Sequence, residues 1–268
     1  MTIKKLSVQN RELLYYDWMP ERFDSIILAI QGLGACADRW TWMAEYLSAK
    51  GIAVIALELD GFGESPGMPG YVKNFDVWVN QLGLMHEHLK SVYPGKKIIL
   101  LGESLGAMIV TRYLESADAD KAVLLSPAFV EGKVFSLADK MKAGLGILFN
   151  PKLHITLPYK HRDFCNSAEG LNYLARSKRE LTRVTAKLSL AMMLLQLALK
   201  KDIANIRTPV FALQAGKDRL VNNDATKNVI DRIPSLARYK RYEDAYHSLC
   251  IDANRETVFA DIAEFSGT

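Results

Sequence analysis

Short apolar runs alternate with longer amphipathic segments along most of this chain. Two alternating runs near its start, residues 3–7 and 13–18, predict a pair of strands with one exposed face. Continuous apolar runs, typical of strands buried on both faces, follow at residues 26–30, 54–57, 98–101 and 122–125. Each gap between these buried runs can hold a helix, so the pattern predicts parallel strands joined by right-handed crossovers. Such sheets bind their ligands at the carboxyl ends of the strands.

The strand-like pattern is interrupted between residues 128 and 206. This stretch has helical periodicity throughout, and buried-strand runs resume only at residues 209–213 and 236–242. We therefore predict an α/β core formed by residues 1–127 and 207–268, with a helical cap inserted at residues 128–206. The insertion carries 13 Lys and Arg against 6 Asp and Glu, so its net charge of +7 leaves −3 on the rest of a chain whose total is +4.

Composition excludes several classes of protein. A chain of 268 residues with 49% apolar and 24% charged residues is neither disordered nor collagen-like. Cys36, Cys165 and Cys250 are too few and too scattered for a disulfide framework or a C-x-x-C site, and they predict free thiols in a reducing compartment. We find no apolar run that fits a signal peptide or a membrane span, and we expect a cytoplasmic protein. The mild net charge argues against nucleic-acid binding.

The strongest chemical signal is a G-x-S-x-G motif, Gly102-Glu103-Ser104-Leu105-Gly106. It follows the predicted strand at residues 98–101 and precedes a helical pattern. A serine on such a tight strand-to-helix turn is held in a strained conformation with its hydroxyl exposed, and flanking glycines avoid collisions with neighbouring elements. Ser104 is therefore the candidate nucleophile, whereas a simple glycine-rich turn is the alternative.

A serine hydroxyl needs a base, and the base needs an orienting acid. His247 is the only histidine that follows a late strand, because the other four lie before the serine strand or within the insertion. Asp218 comes just after the predicted strand at residues 209–213, and Asp224 and Asp244 are the reserve candidates for the acid. The chain order Ser, Asp, His is the order that a nucleophile elbow on this kind of sheet requires.

The loop Gln31-Gly32-Leu33-Gly34 follows the predicted strand at residues 26–30. A tetrahedral intermediate needs two backbone N–H donors, and we assign them to Leu33 and Leu105. The same loop also matches G-x-G-x-x-A, and Glu58 stands near the position of a ribose-binding acid. A nicotinamide-binding oxidoreductase is therefore a rival interpretation, but it leaves the serine, acid and base unexplained.

Two segments of the insertion have competing interpretations. The pattern at residues 181–199 has too many apolar residues for one narrow stripe; they either pack the helix on its neighbours or line an acyl-chain tunnel. The basic run at residues 176–183 is typical of a solvated helix face, although a cap of net charge +7 would also attract anionic lipid surfaces or phosphate groups.

At these motifs the sequence resembles the α/β-hydrolase family, in particular its monoacylglycerol lipase and lysophospholipase-like branch. The resemblance covers nearly all of the chain outside the insertion and includes residues 60–65, which are similar to the branch's D-x-x-G-x-G-x-S loop. It implies an eight-stranded sheet with an antiparallel partner in its first hairpin and a helical cap after the sixth strand. It also implies the same roles for Ser104, His247 and Asp218. One departure is Gln31, where the branch usually has histidine.

The expected activity is hydrolysis of carboxylic esters through an acyl-enzyme, with no metal or cofactor. The basic cap would repel a substrate ammonium group, so we favour medium- or long-chain acyl esters such as monoacylglycerols or lysophospholipids over an aminopeptidase substrate. A non-lipid carboxylesterase, a thioesterase and a non-enzymatic receptor or scaffold of the same fold remain alternatives. The sequence leaves the oligomeric state open.

Overall fold

Eight strands form one central sheet in the computed structural model, which describes residues 3–132 and 137–267. In chain order, the strands of the described residues are β1 (Lys4–Val8), β2 (Arg11–Trp18), β3 (Ser25–Ile30), β4 (Ile52–Glu58), β5 (Lys97–Glu103), β6 (Lys121–Leu125), β7 (His154–Thr156), β8 (Arg183–Thr185), β9 (Val210–Ala215) and β10 (Leu236–Tyr242). The order across the sheet is β1-β2-β4-β3-β5-β6-β9-β10, while β7 and β8 form a separate pair. Strand β2 is antiparallel to both neighbours, and all other pairs in the large sheet are parallel. The predicted eight-stranded sheet and its antiparallel hairpin are confirmed.

Helices cover both faces of the sheet. They are α1 (Thr41–Ser48), α2 (Asp76–Val92), α3 (Leu105–Leu114), α4 (Leu137–Phe149), α5 (His161–Phe164), α6 (Ala168–Arg176), α7 (Ala186–Asp202), α8 (Asn223–Ile230) and α9 (Arg255–Gly267). Alternate residues of β3 enter different cores: Ile26, Leu28 and Ile30 join one, and Ile27 and Ala29 join the other. Successive side chains of a strand point to opposite faces, so a strand buried on both sides needs an unbroken apolar run.

The segment between β6 and β9 is not purely helical, and this part of the prediction is wrong. Besides α4 to α7 it contains the antiparallel pair β7 and β8, in which Ile155 faces Val184. Both side chains are buried. Three-residue strands are too short to give a visible alternation against helical flanks, which is why the sequence pattern missed them.

The basic run at residues 176–183 is also not a solvated helix face. Helix α6 ends at Arg176, and irregular chain leads from there to β8. Arg179 forms ion pairs with Asp38 and Glu64 and donates a hydrogen bond to the Tyr16 hydroxyl. The charge pattern failed here because it shows where cations lie along the chain but not which acids of another segment meet them. Among the described helices, none is both long and apolar enough to cross a bilayer.

Candidate active site

Ser104 lies on a sharp turn between β5 and α3. Its backbone has φ +56° and ψ −111°, a conformation that costs energy for any residue with a side chain. The flanking glycines make the turn possible. A Cβ at Gly102 would lie 2.3 Å from the carbonyl oxygen of Gly106, and a Cβ at Gly106 would lie 2.1 Å from that of Ile30. The sequence prediction that side chains at these two positions would collide is confirmed.

The turn is fixed by backbone hydrogen bonds on both sides of the serine. Ser104 N donates to Leu125 O at 2.9 Å, and its carbonyl accepts from Met108 N and Ala128 N at 3.3 Å. Leu105 is the first residue of α3, so its N–H lacks an acceptor within the helix. The helix dipole adds partial positive charge at this end, which favours a developing negative charge beside Ser104.

His247 and Asp218 lie within hydrogen-bond distance, with 2.7 Å between Nδ1 and Oδ2. The other carboxylate oxygen, Oδ1, accepts from Leu220 N at 2.8 Å and from Val221 N at 3.0 Å, which fixes the orientation of the carboxylate. Burial lowers the pKa of His247, but the adjacent Asp218 carboxylate outweighs burial, with a further contribution from Glu103, so the net pKa is raised. Asp218 therefore orients the imidazole and stabilises its protonated form.

The two reserve acids lie outside this cluster. The side chain of Asp224 is 96% exposed and faces Arg241, and that of Asp244 is 82% exposed and pairs with Lys217. Of the three candidate acids, Asp218 alone contacts the imidazole, so it is the acid that the fold brings to His247.

The loop after β3 packs directly on the turn that carries Ser104. A Cβ at Gly32 would lie 3.2 Å from Ser104 Cβ, so this glycine permits the close approach that places Leu33 beside the serine. Gln31 lies in this loop, at the position where the monoacylglycerol lipase and lysophospholipase-like branch usually has histidine. Its side-chain Nε2 donates a hydrogen bond to Glu58 Oε1 at 3.2 Å. The same carboxylate oxygen accepts from Ala37 N at 3.0 Å, so Glu58 holds both ends of the loop.

These contacts remove the basis of the dinucleotide interpretation. Glu58 is fully buried and occupied by the loop itself, so its carboxylate does not face a ribose. The G-x-G-x-x-A match leads into a short 3₁₀ turn, Ala37–Trp40, instead of opening the long helix that a pyrophosphate site requires. Burial raises the pKa of Glu58 to about 7.

A cavity of about 470 Å³ lies beneath the cap and has Ser104, His247 and Leu33 in its wall. The rest of the wall is largely apolar and comes mostly from the cap; it includes Ile147, Ile155, Leu157, Leu190, Met192 and Met193. The residues of the apolar segment 181–199 divide between the core and the cavity wall, and binding of an acyl chain in this cavity stays a prediction. Leu188, Leu195 and Leu199 are fully buried in the core, whereas the two methionines line the cavity.

The sequence analysis did not identify several charged and polar residues that surround Ser104. Arg39, Glu103 and Ser248 are buried around the site, and Glu180 of the insertion approaches the same place. Burial raises the pKa of Glu103, and the nearby Arg39 guanidinium opposes that effect. Glu103 and Ser248 are chain neighbours of Ser104 and His247, and this adjacency was the only signal in the sequence.

The chain matches one family model and is similar to several lipases over most of its length. A family model described as "Serine aminopeptidase, S33" matches residues 21–254, which span the strands from β3 to β10 together with the insertion. The chain is 22% identical to a monoacylglycerol lipase from Mycolicibacterium smegmatis over 94% of this chain and 92% of that protein. It is 24% identical to the monoglyceride lipase of Homo sapiens over 84% of this chain and 76% of that protein.

The fold is shared with solved structures. A crystal structure of the monoacylglycerol lipase from Paleococcus ferrophilus superposes with a TM-score of 0.85, at 20% sequence identity, and covers 95% of this chain and 98% of that one. At this identity the likeness shows the α/β-hydrolase fold, which the sequence motifs also predict.

Proposed function

This chain belongs to the serine aminopeptidase S33 family of α/β-hydrolases, and from that premise we propose that it hydrolyses carboxylic esters through an acyl-enzyme on Ser104. One observation carries the proposal. His247, joined to the buried Asp218 at 2.7 Å, lines the same apolar cavity as Ser104, which is held on a strained turn. A serine hydroxyl in the wall of a cavity, with a base in the same wall and a buried acid behind that base, supplies the components that acyl transfer requires.

In this mechanism Ser104 Oγ attacks the ester carbonyl carbon while His247 Nε2 accepts the hydroxyl proton. The protonated imidazole, stabilised by Asp218, then gives that proton to the leaving alcohol as the carbon–oxygen bond of the ester breaks. Water then attacks the acyl carbon while His247 takes one of its protons. The bond between that carbon and Ser104 Oγ breaks, His247 returns the proton to Oγ, and the carboxylic acid leaves. The Leu33 and Leu105 N–H groups donate to the oxyanion in both tetrahedral intermediates, each contributing about 3 kcal/mol.

The substrate is an ester of a medium- or long-chain acyl group, such as a monoacylglycerol or a lysophospholipid. Support comes from the cavity wall, where leucine, isoleucine and methionine side chains from the cap offer an apolar surface for an alkyl chain. The names of the similar proteins, monoacylglycerol lipase and monoglyceride lipase, favour the same substrate class.

We further propose that residues 128–206 act as a lid that meets an anionic lipid surface. The exposed apolar side chains of α4 and α7 support this role; they are Met141, Leu145, Leu148, Phe149, Met193, Leu194 and Leu197. The insertion's charge of +7 complements anionic headgroups, and each cation near such a surface contributes about 1 kcal/mol. A cytoplasmic location stays a prediction; Cys36, Cys165 and Cys250 are all buried and free.

Labelling and chain-length profiling test the proposal. A fluorophosphonate is expected to modify wild-type protein at Ser104 and to leave Ser104→Ala unlabelled. With p-nitrophenyl esters from acetyl to palmitoyl, kcat/KM is expected to rise toward the medium and long chains. Activity confined to acetyl or aryl esters would eliminate the lipid substrate but keep the hydrolase, whereas an unlabelled, inactive protein would favour a scaffold.

The family description makes an aminopeptidase the second candidate. A free amino terminus needs unpaired acids near Ser104, and Glu103 has a buried Oε1 without a hydrogen-bond partner among the described residues. Its other oxygen, however, faces Arg39, and the insertion is strongly basic. Aminoacyl 4-nitroanilides separate the two functions, because an aminopeptidase would cleave them faster than the matched acyl esters.

A further inference from the structure

We propose that Arg39 is a positioning residue that holds the cap, the oxyanion loop, the nucleophile turn and the His247 loop in one arrangement. The inference rests on the proposed function, because it assigns a residue that supports the chemistry of Ser104. None of the motifs in the sequence includes Arg39.

The guanidinium of Arg39 contacts three other segments of the chain. Its Nε and Nη2 atoms donate to Glu180 Oε1 of the insertion, at 2.9 and 2.7 Å. Its Nη1 donates to Ser248 Oγ at 3.3 Å and lies 3.6 Å from Glu103 Oε2. Arg39 is only 5% exposed, so these contacts form away from bulk water.

Two of these partners are chain neighbours of the reacting residues. Glu103 immediately precedes Ser104, and Ser248 immediately follows His247. Phe164 adds a second link: its ring lies 5.6 Å from the Arg39 guanidinium carbon and 6.1 Å from the imidazole. A shift of Arg39 is therefore transmitted to the nucleophile and to the base through adjacent backbone and a packed ring.

The partner from the cap is tied to the oxyanion loop next to Arg39. Leu181 N, one residue after Glu180, donates to Gly34 O at 2.8 Å. Gly34 has φ +76°, and a Cβ there would lie 2.7 Å from Leu181 O, so the two backbones touch. Leu33, the proposed oxyanion donor, immediately precedes Gly34. The ion pair and this hydrogen bond together fix the loop against the cap.

Arginine suits this place better than lysine. A planar guanidinium offers several donors in fixed directions, so it can bond to Glu180 and Ser248 at once while facing Glu103. An ammonium keeps the charge but reaches fewer partners in one geometry. Removing the cation altogether would leave the buried Glu103 carboxylate and the partly buried Glu180 carboxylate without a counter-ion, which is strongly destabilising.

The test uses a short, soluble ester whose binding does not depend on the acyl tunnel. With p-nitrophenyl acetate, we expect both Glu180→Gln and Arg39→Lys to lower kcat about 10- to 100-fold, the cost of a misplacement near 1 Å. KM should stay within about twofold. Fluorophosphonate labelling of Ser104 should slow by the same factor as kcat, because attack by the hydroxyl is the affected step.

The double variant decides whether the residues act as one unit. If Glu180 acts through Arg39, the double variant loses no more activity than Arg39→Lys alone. The proposal would be overturned if the fold-loss of kcat in the double variant equalled the product of the two single losses. It would also be overturned if Glu180→Gln kept the wild-type kcat. Should Arg39→Lys fail to fold, Glu103→Gln replaces it in the cycle with the same expected pattern.

Two controls separate positioning from general stability. Arg179→Gln breaks the neighbouring ion pairs of the cap segment, and Asp261→Asn removes a buried carboxylate that pairs with Arg238 and Lys240. Both should lower Tm and leave kcat unchanged. If kcat instead fell in these two variants in proportion to the decrease in Tm, the effect of the Arg39 variants would be explained by lost stability alone. Wild-type protein that resists the phosphonate would instead contradict the proposed function itself.

Discussion

The inner and outer sides of the cap differ in how they meet their surroundings. On the inner side, Glu180 and Leu181 are bonded to Arg39 and Gly34 of the core. On the outer side, the α4 and α7 helices expose large apolar side chains; Phe149 is 81% exposed and Leu148 is 76% exposed. One side is bound into the site, whereas the other has no partner within the described chain.

This difference separates two tasks within one insertion. The inner contacts are directional and buried, so they can hold the groups that react. The outer surface is apolar and non-directional, which suits contact with a lipid layer more than precise recognition. Damage on the inner side should therefore affect every ester, and damage on the outer side should affect only esters presented in a membrane.

The largest effect is expected at the nucleophile. Ser104→Ala should lower kcat about 10⁶-fold for soluble and membrane-borne esters alike, because no acyl-enzyme can form. Steady-state assays with p-nitrophenyl butyrate and with monoacylglycerol in vesicles give the measurement. Ser189→Ala, which alters another serine of the cavity wall, is the matched control and should keep most of the activity. A residual rate above one hundredth of wild type in Ser104→Ala would refute the assignment.

Removing the orienting acid should cost about 10⁴-fold in kcat. Asp218→Asn leaves the imidazole without the charge that raises the pKa of His247. Because the base must be neutral, activity in wild type falls as pH drops through that raised pKa. The small residual activity of the variant should persist to lower pH, and a kcat/KM profile measures this shift. If kcat/KM of Asp218→Asn fell at the same low pH as that of wild type, a group other than His247 would control the pH dependence.

Glu58 should make folding stability depend on pH. Its pKa, about 7 in the folded chain and near 4.5 when unfolded, means that the folded state holds a proton in the interval between them. Unfolding free energy should therefore fall by about 3 kcal/mol as pH rises from 4.5 to 7, and then level off. Urea unfolding across this range should lose that slope in Glu58→Gln and keep it in Glu12→Gln, a change at a partly exposed carboxylate. If unfolding free energy depended on pH equally in wild type and both variants, the raised pKa of Glu58 would not be the cause of that dependence.

The smallest effect is expected on the outer side of the cap. Replacing both Leu148 and Phe149 by serine should slow hydrolysis of monoacylglycerol in phosphatidylglycerol vesicles about 10-fold, since less apolar area enters the lipid layer. Hydrolysis of p-nitrophenyl butyrate should not change. Val92→Ser, at an exposed apolar residue outside the cap, is the control for lost surface hydrophobicity. Equal losses on both substrates would show that these residues act on the chemistry and not on the surface.

The sequence predicted most of the sheet because its signals are local. Unbroken apolar runs marked β3 to β6, and the observed strands extend these runs by one to three residues. The G-x-S-x-G turn was predictable for a similar reason. Its backbone leaves no room for a Cβ at Gly102 or Gly106, and this requirement is visible within a five-residue motif. The acid and base were found by their position after strands, and the fold places them 2.7 Å apart.

The prediction failed where a residue depends on a distant partner. Arg179 was expected on a solvated helix face, but it lies in irregular chain and pairs with Asp38. Arg39 and Glu180 are separated by 141 positions; Arg39 lies in no motif, and Glu180 is the single acid within the basic run at residues 176–183. A charged side chain in a sequence gives no sign of whether water or a buried counter-ion will surround it.

The amino-acid order alone therefore determined the layered α/β architecture, the strained serine turn and the strands that carry the acid and base, because hydrophobic periodicity and turn geometry act over a few residues. Only tertiary structure decided which carboxylate meets His247, how Glu58 holds the loop after β3, and how the cap is tied to Arg39. These choices depend on burial and on distances between far-apart segments, and both exist only once the chain has folded.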